Sequence, residues 1–265
     1  MCPPDYYRVD YVINPWMKNN IHNISSDLTR IQWTKLFHIL NQYASIELIT
    51  PQPNQPDMVF TANAGLVLGN TVIISHFLNE ERQGEELYFK QWFLEQGYTL
   101  KEIPEHISFE GAGDAIYDCE NRWLWAGYGF RSELASHTYL SNWLDIEVLS
   151  LRLIDERFYH LDTCFCLLNG GYLLYYPSAF DYYSNQLIEM RVPKSKRIPV
   201  QEIDAINFVC NAININQIAV TNKATNELKS YLHSIGFNVI EVYLTEFIKA
   251  GGSARCLTCN ITKSA

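Results

Sequence analysis

The sequence predicts an α/β fold, built as a closed, pseudo-symmetric ring of five strand-strand-helix-strand units with the two chain ends side by side. Three observations carry this. Hairpin patterns recur about every 50 residues, with turns near positions 69, 120, 170 and 215. Each hairpin is followed by a helical stretch and then a short apolar run. The two ends of the chain hold the pieces of a fifth unit.

The elements follow in order. "YRVDYVINPW" reads as a strand, "SSDLTRIQWTKLFHILNQYA" as a helix opened by a Ser/Asp cap, and "IELIT" as a strand. "AGLVLGNTVIISHF" (Ala64 to Phe77) is strand, Gly-Asn turn, strand, followed by a helix over Glu80–Gln96 and the run "YTLKEIP". "DAIYDCENRWLWAGYG" turns at Glu120-Asn121 and leads to a helix over Arg131–Trp143 and the run "IEVLSL". "DTCFCLLNGGYLLYYPS" turns at Asn169-Gly170, which supply the positive φ angles of a tight hairpin, and precedes a helix over Ala179–Met190. "FVCNAININQIAVTN" is a weaker hairpin whose first half can also end a preceding helix; Ala224–Ile235 and "NVIEVYL" complete that unit. The first unit lacks one strand, and "ARCLTCNIT" at the other end is spare. If it fills the gap, no sheet edge is left open, and Cys256 comes to an inner strand next to Asn14. The competing arrangement is an α/β sandwich with irregular spacing.

Composition narrows the function. With 48% hydrophobic and 18% charged residues the 265-residue chain is globular, and the lack of any obvious linker makes residues 1–265 one domain. A net charge of -9 excludes a general nucleic-acid binder, which needs a basic face, and suits a cationic small substrate better. The N-terminus has no basic-then-apolar signal pattern, and no apolar run reaches the ~18 residues of a membrane span. Seven cysteines, an odd number without dense spacing, point to reduced thiols and a cytoplasmic location.

Four segments carry residues suited to chemistry. In "AGGSARCLTCN", Cys256 follows Gly251-Gly252-Ser253, where glycines let backbone and ligand approach closely. Cys256 and Cys259 form a CxxC, but one pair does not make a zinc site, and on a strand the two face opposite sides. A buried apolar thiol is the other reading. In "RFYHLDTCF", His160 and Asp162 share a face at a strand start, which fits acid/base work or a packed strand edge. Cys164 and Cys166 read as core or pocket-lining residues. In "FEGAGDAIY", Glu110 and Asp114 flank three small residues, and paired carboxylates suit a planar guanidinium; a solvated acidic loop is the alternative. In "QPDMVFTANAG", Phe60 can stack on a flat cation and Asn63 can hold a planar amide-like group.

Taken together, in this order and spacing, these segments resemble the guanidine-modifying enzymes of the pentein fold, a family of arginine deiminases, dimethylarginine dimethylaminohydrolases, amidinotransferases and arginine dihydrolases. The resemblance spans nearly the whole chain and implies a five-bladed α/β propeller. "CPPDYYRVDYVINPWM" and "PDMVFTANAG" are similar to the arginine dihydrolase domain at the N-terminus of bifunctional cyanobacterial enzymes. Deiminases have an aspartate where this chain has Asn63, and the loop Glu-Gly-Ala-Gly-Asp is one residue longer than the family's EGGD.

What the resemblance implies is hydrolysis of arginine to ornithine, carbon dioxide and two ammonia, with Cys256 as nucleophile, His160 as acid/base, and Glu110 and Asn63 completing the catalytic set. Asp114, Asp162, Asn14, Phe60 and Ser253 are the expected substrate contacts, with Arg82 and Arg131 clamping the α-carboxylate. No metal or organic cofactor is expected, and no nucleic-acid or membrane partner; a homo-oligomer is compatible. The alternative activity is that of a deiminase or dimethylarginine dimethylaminohydrolase, ending at citrulline. Some pentein proteins are non-catalytic ribosome-binding factors, which would not need Cys256, His160 and Glu110 together.

Overall fold

A computed structural model describes residues 1–261 of the chain. Near the N-terminus, α1 (Ser26–Leu40) is opened by Ser25, whose side chain accepts a hydrogen bond from the Leu28 amide. Trp33, Leu36 and Leu40, spaced three and four apart, form its buried stripe.

Four three-stranded sheets follow, each an antiparallel hairpin with a third strand parallel to its second. In the first, β1 (Gly65–Leu68) and β2 (Thr71–Ile74) lead through α2 (Glu80–Gln83) and α3 (Glu85–Glu95) to β3 (Thr99–Glu102). The second holds β4 (Ala115–Asp118), β5 (Trp123–Tyr128), α4 (Ser136–Leu144) and β6 (Glu147–Arg152). The third holds β7 (Phe165–Leu168), β8 (Tyr172–Tyr175), α5 (Tyr182–Arg191) and β9 (Arg197–Pro199). After α6 (Glu202–Ile206), the fourth holds β10 (Ile213–Ile215), β11 (Ile218–Thr221), α7 (Asn226–Ser234) and β12 (Asn238–Glu241), and α8 (Thr245–Ile248) ends the series.

The helix-linked return explains why the third strand is parallel: a crossover of this length places it beside the second strand in the same direction. Pairing of Leu68 with Thr71 leaves the two-residue turn Gly69-Asn70, with Gly69 at φ 60°. The fourth hairpin turns on Asn216 at φ 52°, a conformation asparagine tolerates. Cys164 and Cys166 are fully buried in the apolar core with Trp125 and Phe165. No helix among the described residues is long and apolar enough to cross a membrane.

Several expected elements differ. The helix over 80–96 is split at Gly84, which ends α2 and precedes α3. The helix expected from Arg131 begins only at Ser136, because the chain at 131–132 bends to bury both side chains. Among the described residues, the three strands expected at the chain ends do not form; the last residue of "ARCLTCNIT" lies outside them. Asn14 caps the Trp16 and Met17 amides and starts a 3-10 turn, Pro15–Asn19, and Pro15 itself has no N–H to offer a ladder. Residues 46–50 are irregular, joined to the N-terminus by the Ile49 amide donating to the Met1 carbonyl at 3.0 Å. Residues 254–257 curl into a turn, with the Leu257 amide donating to Ser253 and the Thr258 amide to Arg255. Cys256 therefore lies on a turn and not on a strand. The two ends still come together: Met1 and Cys259 line one cavity.

Candidate active site

Each sheet unit makes a short turn just before its first strand. Thr61–Ala64 precedes β1, Gly111–Gly113 precedes β4 and Leu161–Thr163 precedes β7, all as 3-10 turns; residues 207–211 turn before β10. Asn63, Glu110, Asp114, His160, Asp162 and Asn211 all lie on or beside these turns. Hydrogen bonds pass from each turn to the next. Asn63 Nδ2 donates to the Glu110 carbonyl at 2.8 Å, the Leu161 amide to Asp114 Oδ1 at 3.0 Å, and Asn211 Nδ2 to the Asp162 carbonyl at 3.0 Å. The Arg255 amide donates to the Asn211 carbonyl at 3.1 Å, and the Ala62 amide returns to the Cys256 carbonyl at 3.1 Å. The circuit closes on itself and holds every segment that carries a reactive side chain.

Cys256 is 4% exposed. Its Sγ lies 3.0 Å from Asn211 Nδ2 and donates to Asp162 Oδ2 at 3.4 Å, while its amide donates to Asn211 Oδ1 at 3.2 Å. Burial pushes the thiol well above its ordinary range, and the Asp162 charge pushes it further; hydrogen bonds from the Ser253 backbone and Asn211 oppose this. Burial also raises Asp162, against the pull of His160 and Arg255. At rest the sulfur is a neutral thiol.

His160 Nε2 is 2.7 Å from Glu110 Oε2 and 4.0 Å from Asp114 Oδ2. Arg131 Nη1 donates to the same Glu110 oxygen at 3.2 Å, Nη2 to the Ile13 carbonyl at 2.8 Å, and the guanidinium lies over the Tyr159 ring. Burial alone would raise Glu110, but Arg131, the His160 hydrogen bond and charge, and Arg82 outweigh it and hold the carboxyl at about 2. Asp114 differs. Burial lifts it to about 6 despite His160, the Ser132 hydroxyl at 2.7 Å and the Leu161 amide. One fully ionised carboxylate and one that titrates near neutrality thus flank the same imidazole.

Arg82 is 3% exposed and grips Glu85 with two hydrogen bonds of 2.8 Å. Its Nη1 donates to Asn63 Oδ1 at 3.1 Å. The Asn63 amide is thereby held at both ends, which leaves it one N–H and one lone pair to offer a ligand. Gly113 keeps room for it: a Cβ there would stand 2.4 Å from Asn63 Nδ2.

Asn14 donates to the Ala250 carbonyl at 3.0 Å, anchoring the loop before Gly251. Phe60 is buried. It packs edge-on against Tyr7 and Phe247, and its ring fills the space beside Gly252. Ser253 is fully buried, and its Oγ has no partner among the described residues.

His160 and Asp162 sit on a 3-10 turn instead of a strand start, because the strand begins only at Phe165. Their side chains diverge accordingly, one toward Glu110 and the other toward Cys256. Cys259 is not a partner of Cys256; its sulfur approaches the Gly65 carbonyl at 3.9 Å. Among the described residues no group of three or more His, Cys, Asp or Glu is placed to hold a metal. Asn211, Tyr159 and Ser132 went unmarked in the sequence reading. The Asn211 signal was present: it stands just before the fourth hairpin, where Asn63, Asp114 and Asp162 stand before the first three.

A family model described as N,N dimethylarginine dimethylhydrolase, eukaryotic, matches residues 11–263. A bifunctional arginine dihydrolase/ornithine cyclodeaminase, AgrE, from Nostoc is 64% identical over 99% of this chain; the chain spans only 37% of that relative's length. The N-terminal domain of ArgZ, an arginine dihydrolase from the ornithine-ammonia cycle in cyanobacteria, has been solved as a cysteine-to-serine variant bound to substrate. It is 61% identical, with a TM-score of 0.98 over 99% of this chain and 97% of that one. An asparagine-to-serine variant of the same domain, covalently bound to a reaction intermediate, matches with the same TM-score, identity and coverage. The chain belongs to the N,N-dimethylarginine dimethylhydrolase family and has its pentein α/β fold.

Proposed function

We propose that the chain is an arginine dihydrolase, converting L-arginine to ornithine, carbon dioxide and two ammonia. The observation that carries this is the placement of Cys256 in the turn circuit, with Asp162 and Asn211 on its sulfur and the Glu110–His160 pair and Asn63 on adjoining turns. Its similarity to ArgZ and AgrE, named for that activity, supports the same reading.

The guanidinium enters a buried site with an excess of carboxylates. Asp162 meets it beside the sulfur, and the added positive charge favours the thiolate that burial disfavours. Cys256 gives its proton to Asp162, which already accepts its hydrogen bond, and attacks the central guanidino carbon. His160, oriented by Glu110, protonates the departing ammonia and then activates water against the covalent thiouronium. The first product is a neutral ureido group. Asn63 can bond it as readily as the cation, through its free N–H and lone pair, so the citrulline stays for a second round. Asp114 lies beside His160 and assists proton transfer. Arg131, whose Nη2 reaches toward the Asn14 loop, and Arg82 are the cations for the α-carboxylate; Arg82 also fixes Asn63. Asn14 and Ser253 shape the loop at the substrate's other side. Phe60 supports Gly252 from below.

The reading extends to the whole chain as one catalytic domain of five units. The fifth is formed by the two ends, and the closed circuit of turns supports it. Seven free thiols fit a reducing compartment, the cytoplasm.

Product analysis of Asn63→Asp tests the role given to Asn63. A carboxylate there favours the cation over the ureido group, so citrulline accumulates. If the variant still yields only ornithine, the assignment fails.

A further inference from the structure

A cavity of about 750 Å³ is lined by Arg255, Thr61 and Ala112, and by none of Cys256, Asn63, Glu110, His160 or Asp162. Arg255 adjoins Cys256, Thr61 is two residues from Asn63, and Ala112 is two from Glu110. The same turns that present reactive side chains to the active site present these neighbours to the cavity.

Two polar groups in its wall are unsatisfied. Thr61, 3% exposed, has no partner for Oγ1 among the described residues, and the Arg255 Nε is buried without one. Arg255 also makes no ion pair among the described residues, unlike the buried Arg82 and Arg131. A buried donor without an acceptor is costly, and Arg255, half-buried as a whole, has no counter-charge among the described residues. Both groups can donate and both belong to residues that line the cavity, so an anionic oxygen acceptor suits them. Much of the remaining wall is apolar, with Phe93, Trp92 and Ile213. Among the described residues the one acidic side chain lining the cavity, Glu47, is exposed.

We propose that this cavity is a second ligand site, which takes a carboxylate carried on an apolar body, the carboxylate lying on Arg255 and Thr61. Its volume falls in the range of small-molecule sites. The Arg255 charge also reaches Asp162, so an occupant here is felt beside the nucleophile. The site stands on its own geometry and does not depend on the activity proposed above.

Calorimetric titration of the full chain with 4-phenylbutyrate tests this. One saturable site is expected, with a Kd of a few millimolar or tighter, about the yield of a ligand of that size. The neutral 4-phenylbutyramide is expected to bind about tenfold or more weakly, the worth of a charge-assisted hydrogen bond. Arg255→Met should weaken the acid by a similar factor and leave the amide unchanged. The acid-amide comparison uses the unaltered protein, so it stands even if that variant does not fold. Absence of saturable binding overturns the proposal, as does equal affinity for acid and amide. So does a structure of the complex that places the carboxylate away from Arg255.

Discussion

Cys256 is buried, and burial and the Asp162 charge raise its thiol; in the proposed mechanism the cationic substrate is what favours the thiolate. Iodoacetamide should inactivate the free protein slowly at neutral pH, with the rate rising about tenfold per pH unit above it, as thiolate forms. A rate already at its plateau near neutrality would contradict the raised thiol. Asn211 donates to the same sulfur and accepts from the same residue's amide. Asn211→Ala removes a hydrogen bond to a group that becomes charged in the reaction, and should lower kcat by about 10- to 100-fold with little change in KM. An unchanged kcat would mean that Asn211 only fills space. Cys256, His160 and Glu110 were singled out by residue type and setting, with their proposed roles supplied by the resemblance to guanidine-modifying enzymes. Asn211 was not, since "VCNAIN" looks like any hairpin approach, and its role shows only when the turns of all units are laid side by side. Phe60 has a packing role that its motif did not show: its ring lies edge-on to Tyr7 and Phe247 and takes up the space beside Gly252.

The turns before the hairpins and the loop before Cys256 hold the candidate site, and Gly111, Gly113 and Gly252 leave little spare volume. A Cβ at Gly252 would lie 2.4 Å from the Phe60 ring, itself wedged in the core. Gly252→Ala should therefore destabilise the protein by about 1–3 kcal/mol, the usual cost of overpacking, read as a lower urea midpoint with an unchanged slope. A midpoint equal to that of the unaltered protein would show that the ring moves aside freely. The hairpins themselves were readable because short turns carrying Gly or Asn impose a local pattern, two residues long in the first and fourth; the third is one residue longer than the expected Asn169-Gly170 turn, with Gly170 and Gly171 at positive φ, and the second spans residues 119–122. The end strands were misread because apolar alternation alone marks extended chain, and only a ladder partner turns extended chain into a strand. Residues 254–257 find side chains and turn carbonyls in place of a partner strand.

For the molecule as a whole, the buried charges set how stability follows pH. Glu110 drops from 4.5 unfolded to about 2 folded, so its contribution is complete above 4.5 and is lost as pH falls toward 2. Asp114 works the other way. Its folded value near 6 exceeds 3.8, so its ionisation costs stability as pH rises across that interval. Glu110→Gln should flatten the acid limb of the stability curve below 4.5. Identical limbs for the variant and the unaltered protein would contradict the assigned pairing. The rhythm of four units was plain in the sequence because each repeats the same turn, helix and strand. How the ends meet was not, because that depends on hydrogen bonds between residues more than 190 apart, such as the Ala62 amide to the Cys256 carbonyl.

The most direct test of the central claim is the stoichiometry of the reaction with L-arginine, with ammonia, citrulline and ornithine measured in one sample. Two ammonia for each ornithine, without lasting citrulline, is the result expected of a Cys256 site that keeps its ureido product on Asn63. One ammonia for each citrulline, with no ornithine, would contradict it.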